Sequence, residues 1–544
     1  VSSFFVFSFA WFSICSGQIS EPVNTPAPKI KVTTDHLLHA VDHSKNWLTY
    51  SGSYSAQRYS RLDQIDSKTV ADVRLAWVKQ FPIGEPFECS PLVIDGVMYV
   101  TLPENKVKAL DARTGLVFWE YNYELPAKLA VCCGKINRGV AIHGDTLYMG
   151  TLDAKLVAID AVSGREKWVK TVGSPEEGLS ITAAPLIVKD MVITGVGGGE
   201  YGIRGFLDAY DAETGKRIWR THTIPKPGEP GNETWEGDSW KHGGAPTWMT
   251  GAYDPELDLL YWGVGNPGPD WNGEVRKGDN LYSDCVLAID PDDGEIKWHF
   301  QFTPHDVHDW DACQIPVLVD LELKGEQRKL MLFPNRNAFY YVLDREDGEF
   351  LHGSQFALQT WAKGLDKKGR PIRIPGRLPS VKGVKVAPDV SGAANWQSPT
   401  YSPDTNLIYI MAFDGYGEYY LSEDPEFQKG FLFTGGTGVA NEFVDKLPED
   451  YVSAVRALNP VTGEKVWDFK VYPKSMGGLI STAGNLVFGG TRMGNFFALD
   501  ATTGKKLWHR SLGGRIHAAP ITFQVNGKQY VSIAAGANLF TFGL

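Results

Sequence analysis

An Asp-x-x-x-Gly turn with an aromatic residue eight positions after the acid recurs along this chain, and that repeat constrains the fold more than any other feature. Copies stand at Asp111/Gly115/Trp119, Asp160/Gly164/Trp168, Asp211/Gly215/Trp219, Asp290/Gly294/Trp298 and Asp500/Gly504/Trp508. Asn459/Gly463/Trp467 and Asp344/Gly348/His352 are weaker copies, and Trp77 in RLAWVKQF is a strand of the same kind without its turn. Each copy lies between short alternating apolar runs, such as KVKAL before and VFWEY after, which reads as strand, tight turn, strand. Asp and Gly suit the turn, and the indole suits packing against the next unit. A unit of about 40 to 50 residues with several strands is the signature of a propeller blade. Eight copies therefore predict an all-β, eight-bladed β-propeller with tryptophan docking between blades.

The spacing between aromatic positions stretches to 79 residues before Trp298 and to 115 between His352 and Trp467. Those stretches hold TWEGDSWKHGG and an insert from about 413 to 453, so their loops are expected to build a site on one face. Length alone, at 544 residues, would suggest several domains, but the repeats favour one, over residues 18–544. Apolar residues make up 43% and charged residues 22%, which excludes general disorder. A net charge of −11 without a long Lys/Arg run argues against nucleic acid and anionic membrane surfaces as partners.

Residues 1–17 hold an apolar run followed by small residues, the pattern of an export signal cleaved near Gly17. No other stretch has the apolar length of a membrane span. Export implies a periplasmic, oxidising setting in which disulfides persist. There the adjacent Cys132 and Cys133 would close a small ring with a distorted peptide, whereas in a reducing compartment they would be two buried thiols. Cys15, Cys89, Cys285 and Cys313 are scattered and expected to be buried and inert. The sequence contains no Cys-x-x-Cys-His, so no attached c-type haem is expected.

The run HDVHDWDACQ at 305–314 carries two acids two residues apart. In an extended strand Asp309 and Asp311 would share a face and could hold one hard cation, although acids beside a turn are more often solvated. His305 and His308 would suit a transition metal, but no further His or Cys cluster supports that. Glu200 in GGGEYGIRG and Asn266 in GVGNPGPDWNG are further oxygen donors beside Gly-rich turns, where backbone can approach a flat ligand.

Taken in order, ECSPL, CCGKINRG, TAAP, GGGEYGIRG, TWEGDSW, GVGNPGP, TPHDVHDWD, FPNRN and STAGNLVFGGT resemble the pyrroloquinoline quinone (PQQ)-dependent alcohol and methanol dehydrogenases, from about residue 45 to the C-terminus. The resemblance implies PQQ on the propeller axis between a Cys132–Cys133 ring and Trp248. It implies cofactor contacts from Glu88, Arg138, Thr182, Gly198, Gly199, Arg336 and Asn395 or Trp396, and metal ligation by Glu200, Asn266 and Asp309, with Asp309 also the catalytic base. Asp311 matches the lanthanide-dependent members of the family, where calcium members carry a small residue. The expected cofactors are thus PQQ and one lanthanide ion, with calcium as the alternative. The implied activity is oxidation of a small-molecule primary alcohol, with electrons passed to a soluble cytochrome c or similar acceptor. Met476, Pro246 and Gly197 depart from the methanol enzymes and argue against methanol as the preferred substrate. Competing readings are a PQQ-dependent sugar or polyol dehydrogenase and a non-catalytic propeller scaffold. Oligomeric state stays open, a homodimer included.

Overall fold

The computed structural model describes residues 25–84, 86–129, 131–440 and 452–544. The export-signal reading of residues 1–17, and Cys15 with it, lies outside them. Among the described residues the chain forms eight sheets of four or five strands, a two-stranded ribbon and a three-stranded sheet. The eight are the blades of a β-propeller. Seven follow in chain order over 92–122, 141–171, 186–222, 252–301, 317–355, 400–471 and 480–511. In the first, Leu92–Ile94, Val97–Leu102, Lys106–Asp111 and Val117–Asn122 pair antiparallel as a meander.

In the first blade the first strand, Leu92–Ile94, is short and buried throughout, whereas the fourth, Val117–Asn122, mixes buried and accessible positions. The ring closes through the last blade. Ile521–Val525, Lys528–Ala535 and Asn538–Gly543 supply three strands, and Arg74–Gln80 from the other end of the chain adds the fourth, antiparallel to Asn538–Gly543. This pairs segments more than 450 residues apart in one sheet, so the two ends of the propeller ring are held together by ladder hydrogen bonds.

The repeat does what its spacing predicts. A Cβ built on Gly164 would lie 2.6 Å from Trp119 Cε3, and one on Gly115 2.7 Å from Trp77 Cε3, so each indole sits flat on the turn of the following blade. In four of them the indole nitrogen also donates to a carbonyl of that turn: Trp77 to Ala112, Trp119 to Ala161, Trp219 to Pro291 and Trp467 to Ala501. An indole both fills the gap between blades and satisfies a carbonyl there. At the position without an indole, His352 Nε2 lies 2.7 Å from the Thr462 carbonyl and keeps the polar half of the contact. Trp77, which belongs to the closing blade, docks on the first, completing the circle.

The described part of the 413–453 stretch supplies Gly417–Leu421 and Gly436–Ala440, which pair with Val384–Val386 in the three-stranded sheet. Its Phe433 amide donates to the Glu200 carbonyl at 2.6 Å and its Thr434 carbonyl accepts from Trp271, so it caps one face as expected. Cys89, Cys285 and Cys313 are free and buried. No helix among the described residues is long and apolar enough to cross a membrane.

Candidate active site

The site residues enter at two recurrent positions of the blade. Glu88, Arg138, Thr182, Trp248, Asp311 and Trp396 each stand three to six residues before a blade's first strand, at Leu92, Ala141, Leu186, Ala252, Val317 and Thr400 respectively. Glu200, Asn266 and Arg336 follow a second strand, after Met191–Gly195, Leu259–Gly263 and Glu326–Pro334. In an antiparallel meander the start of the first strand and the end of the second lie at the same end of the sheet. Residues from five or more blades therefore converge on one end of the ring.

Arg138 is the hub on one side. It is buried, forms an ion pair with Glu88 at 2.9 Å and donates to Thr182 Oγ1 at 2.9 Å. Its guanidinium lies over the rings of Trp248 and Trp396, 5.2 and 4.8 Å from their centroids. Asn395 caps this wall: its Nδ2 donates to the Ser391 carbonyl, and its Oδ1 accepts from the Trp396 amide. Burial pushes the Glu88 carboxyl up, and the Arg138 charge opposes that shift.

Cys132 and Cys133 are joined by a disulfide, which settles the choice between ring and thiols. Both sulfurs and a Glu200 carboxylate oxygen lie within 4.8 Å of one another. Glu200 stands in the single turn Gly199–Tyr201, entered through Gly198 at φ +115. A Cβ there would meet the Gly178 carbonyl oxygen at 2.3 Å, so only glycine fits.

The acids of 305–314 are not in a strand, contrary to the expectation that an extended run sets them on one face. The Asp306 carboxylate accepts from the amides of His308 and Trp310, folding the segment into a turn in which Asp309 has φ +60. A turn closed by an acid two to four residues upstream offers its backbone amides an alternative to the ladder. The two carboxylates are instead gathered by one guanidinium: Arg336 Nη1 lies 2.6 Å from Asp311 and Nη2 3.6 Å from Asp309. Neither histidine joins them. His308 meets the Arg377 carbonyl and stacks on Trp310, and His305 meets the Gly278 carbonyl.

Asp311 Oδ1 accepts from the Asn266 amide at 2.6 Å, and its carboxylate also takes a hydrogen bond from Trp248. Asn266 in turn donates through Nδ2 to Asp270 at 3.0 Å. Asp270 is a buried acid of this site that the motif reading passed over, although it stands in the quoted loop GVGNPGPDWNG. Burial is the largest cause raising the carboxyls of Glu200, Asp270, Asp309 and Asp311, and their mutual repulsion adds to it. For Arg336 burial acts the other way, but Asp309 and Asp311 outweigh it and hold the guanidinium charged.

Among the described residues Glu200, Asp309 and Asp311 do not come as close together as the disulfide and Glu200 do. The donor set still fits a hard cation: three carboxylates and an amide, with Asn266 and Asp311 buried and Glu200 and Asp309 half-buried beside them, each carboxyl penalised by its neighbours. Unpartnered buried atoms point the same way. Arg138 Nε and Arg336 Nε lack a hydrogen-bond acceptor, as an anionic ligand between them would supply, and Asp270 Oδ2 lacks a donor. Pro246 fills the space under Gly199 and Gly265, where a Cβ would lie 2.9 and 2.7 Å from its ring, and Met476 packs against the same apolar cluster as Trp248.

Comparison with known proteins agrees with this architecture. The family described as "PQQ: Glucose/ethanol/alcohol dehydrogenase, beta-propeller domain" matches residues 47–355 and 470–531. The chain is 41% identical to the quinoprotein alcohol dehydrogenase PedH of Pseudomonas putida, over 93% of this chain and 88% of that one. It is 42% identical to the quinohemoprotein alcohol dehydrogenase ADH IIB of Pseudomonas putida, over 90% of this chain and 73% of that one. The solved structure of a europium-containing methanol dehydrogenase superposes with a TM-score of 0.88 at 33% identity, covering 94% of this chain and all of that one. With the propeller, the vicinal disulfide and the convergent acids in place, these matches mean that the chain belongs to the PQQ-dependent alcohol dehydrogenase family.

Proposed function

We propose that this alcohol dehydrogenase works through Asp309 as general base beside one metal ion held by Glu200, Asn266, Asp309 and Asp311. When bound, the metal supplies Lewis acidity and PQQ accepts the hydride of the alcohol carbon. The chain's own residues do the rest. Arg138, with Glu88 and Thr182 behind it, and Arg336 would meet the quinone's carboxylates, for which a planar five-donor guanidinium is well shaped. The Cys132–Cys133 ring and Trp248 would hold the quinone between them, with Gly198, Gly199, Asn395 and Trp396 as further contacts. Asp309 takes the hydroxyl proton, and the burial that raises its carboxyl also makes its carboxylate the stronger base. The observation that carries this reading is the joint hold of Arg336 on Asp309 and Asp311, which fixes the base next to the fourth oxygen donor.

The metal on this reading is a lanthanide. Glu200, Asp309 and Asp311 contribute three negative charges, and a trivalent ion gains more from the third than a divalent ion does, because Coulomb attraction scales with the product of charges. Coordination number alone would also admit calcium. The reading extends to a single propeller domain over 18–544, a periplasmic setting and reoxidation by a separate soluble cytochrome c. A scaffold role would leave the buried acids and the disulfide without a purpose.

The test is the full chain reconstituted with PQQ and either lanthanum or calcium, assayed with an artificial acceptor on primary alcohols, polyols and sugars, for wild type and Asp311→Ala. Lanthanum should be strongly preferred on primary alcohols, and the substitution should remove that preference. Equal or better turnover with calcium in the wild type would overturn the lanthanide assignment, and turnover confined to sugars would overturn the primary alcohol.

A further inference from the structure

We infer that Asp270 is a positioning residue for the metal site, acting through Asn266. A side-chain amide has two chemically different ends, and only its oxygen ligates a hard cation. Asn266 is buried, with two carboxylates beside it: its backbone amide donates to Asp311 Oδ1 at 2.6 Å and its Nδ2 donates to Asp270 Oδ1 at 3.0 Å. The NH2 end of the amide is thus the end that faces Asp270, whose Oδ1 accepts from it. The amide oxygen is thereby turned the other way, toward Gly199 and the turn that carries Glu200. A Cβ built on Gly199 would lie 3.8 Å from Asn266 Oδ1.

Asp270 is itself held in place. It is 1% exposed. The buried Arg276 grips its backbone through hydrogen bonds to the carbonyls of Pro269 and Asp270, and reaches Asn280 and Asp306 with its remaining donors. The side chain therefore has little freedom to leave Asn266. Without that acceptor, the two ends of the amide would differ little in energy within the pocket, and the ligating orientation would become one of two.

This inference rests on the ligand set Glu200, Asn266, Asp309 and Asp311, and the experiment separates the two. Full-length protein carrying PQQ is dialysed against buffered free lanthanum, and bound metal is measured by mass spectrometry for wild type, Asp270→Asn, Asp270→Ser and Asp270→Ala. The Asn variant keeps an acceptor oxygen for Asn266 Nδ2 but no charge; Ala has no acceptor, and the Ser hydroxyl stands one bond short of the carboxylate oxygen, out of reach of Asn266 Nδ2, and is the milder truncation should Ala fail to fold. Removing a group that orients a metal ligand typically weakens binding about 10- to 100-fold. The Ser and Ala variants should lose lanthanum affinity on that scale, and the Asn variant should recover most of it. Equal loss in all three would mean that Asp270 acts by charge and would overturn the inference, as would wild-type affinity in Ser or Ala. Wild-type protein that binds no lanthanum in stoichiometric amount would overturn the ligand set itself.

Discussion

Arg336 Nη1 stands 2.6 Å from Asp311 Oδ2, with both residues almost wholly buried. The same guanidinium reaches Asp309 with its other terminal nitrogen and the Val390 carbonyl besides. It is thus a spacer between the base and its neighbouring acid. Lysine has the charge but not the fork. Arg336→Lys should therefore let one carboxylate drift, and since a misplacement near 1 Å can cost about a hundredfold in rate, kcat/KM should fall on that order. Steady-state kinetics with quinone content measured in parallel checks this; an unchanged kcat/KM at full quinone content would mean that charge alone suffices.

The proton-accepting role assigned to Asp309 has a distinct kinetic signature. Asp309→Asn preserves shape and removes basicity, and general base catalysis is typically worth about 10²- to 10⁴-fold. The variant should lose kcat on that scale while its quinone absorbance still co-migrates with the protein. A variant retaining more than a tenth of wild-type kcat would move the base elsewhere in the site.

Much of this arrangement was legible in the sequence, for identifiable reasons. The blade count followed from a turn whose Gly and Trp are bound to one another across blades, so that their spacing is a packing constraint and repeats wherever the packing does. Glu200, Asn266 and Arg336 stand in long motifs ordered along the chain, and the structure brings all three to one end of the ring. The local conformation of 305–314 was not found. Two acids at i and i+2 read as one face of a strand, but Asp306 captures the amides of His308 and Trp310, and no periodicity records a side chain bonding to backbone. Asp270 was missed because an acid in a Gly/Pro-rich loop looks like surface until its burial is known.

The docking repeat makes its own prediction about stability. Trp119 is 1% exposed, and its indole lies on the Gly164 turn while donating to Ala161. Trp119→Ala should cost roughly 3 to 5 kcal/mol, the usual range for a buried aromatic. Gly164→Ala should also destabilise, since φ there is +72 and the added methyl would lie 2.6 Å from the indole. His352→Ala, at the blade junction that lacks an indole, should cost less than Trp119→Ala. Denaturant midpoints of the three variants, compared with wild type, give the order; Trp119→Ala milder than His352→Ala would contradict the docking account.

Away from the site, Asp254 and Arg345 form a buried pair that ties the fourth blade to the fifth. Arg345 Nε lies 2.6 Å from Asp254 Oδ2, and its Nη1 lies 2.7 Å from the exposed Asp320. Burial pushes the Asp254 carboxyl up, but the hydrogen bond and charge of Arg345, with the amides of Leu257 and Glu256, outweigh it and hold the carboxyl below its ordinary value. A carboxyl depressed in the folded state contributes stability that is fully present above its unfolded pKa of about 3.9 and is lost as pH falls through the lower folded value. Asp254→Asn keeps an oxygen for the amides of Glu256 and Leu257 and removes the charge facing Arg345, which isolates the pair. Breaking a buried ion pair costs about 3 to 5 kcal/mol, and the lower end applies because Asp320 still neutralises part of the guanidinium. The gap in unfolding midpoint between wild type and Asp254→Asn should hold steady from pH 7 to about pH 5 and narrow below about pH 4. A gap that stayed constant through that acid range would place the cost of the substitution in packing and not in the ion pair.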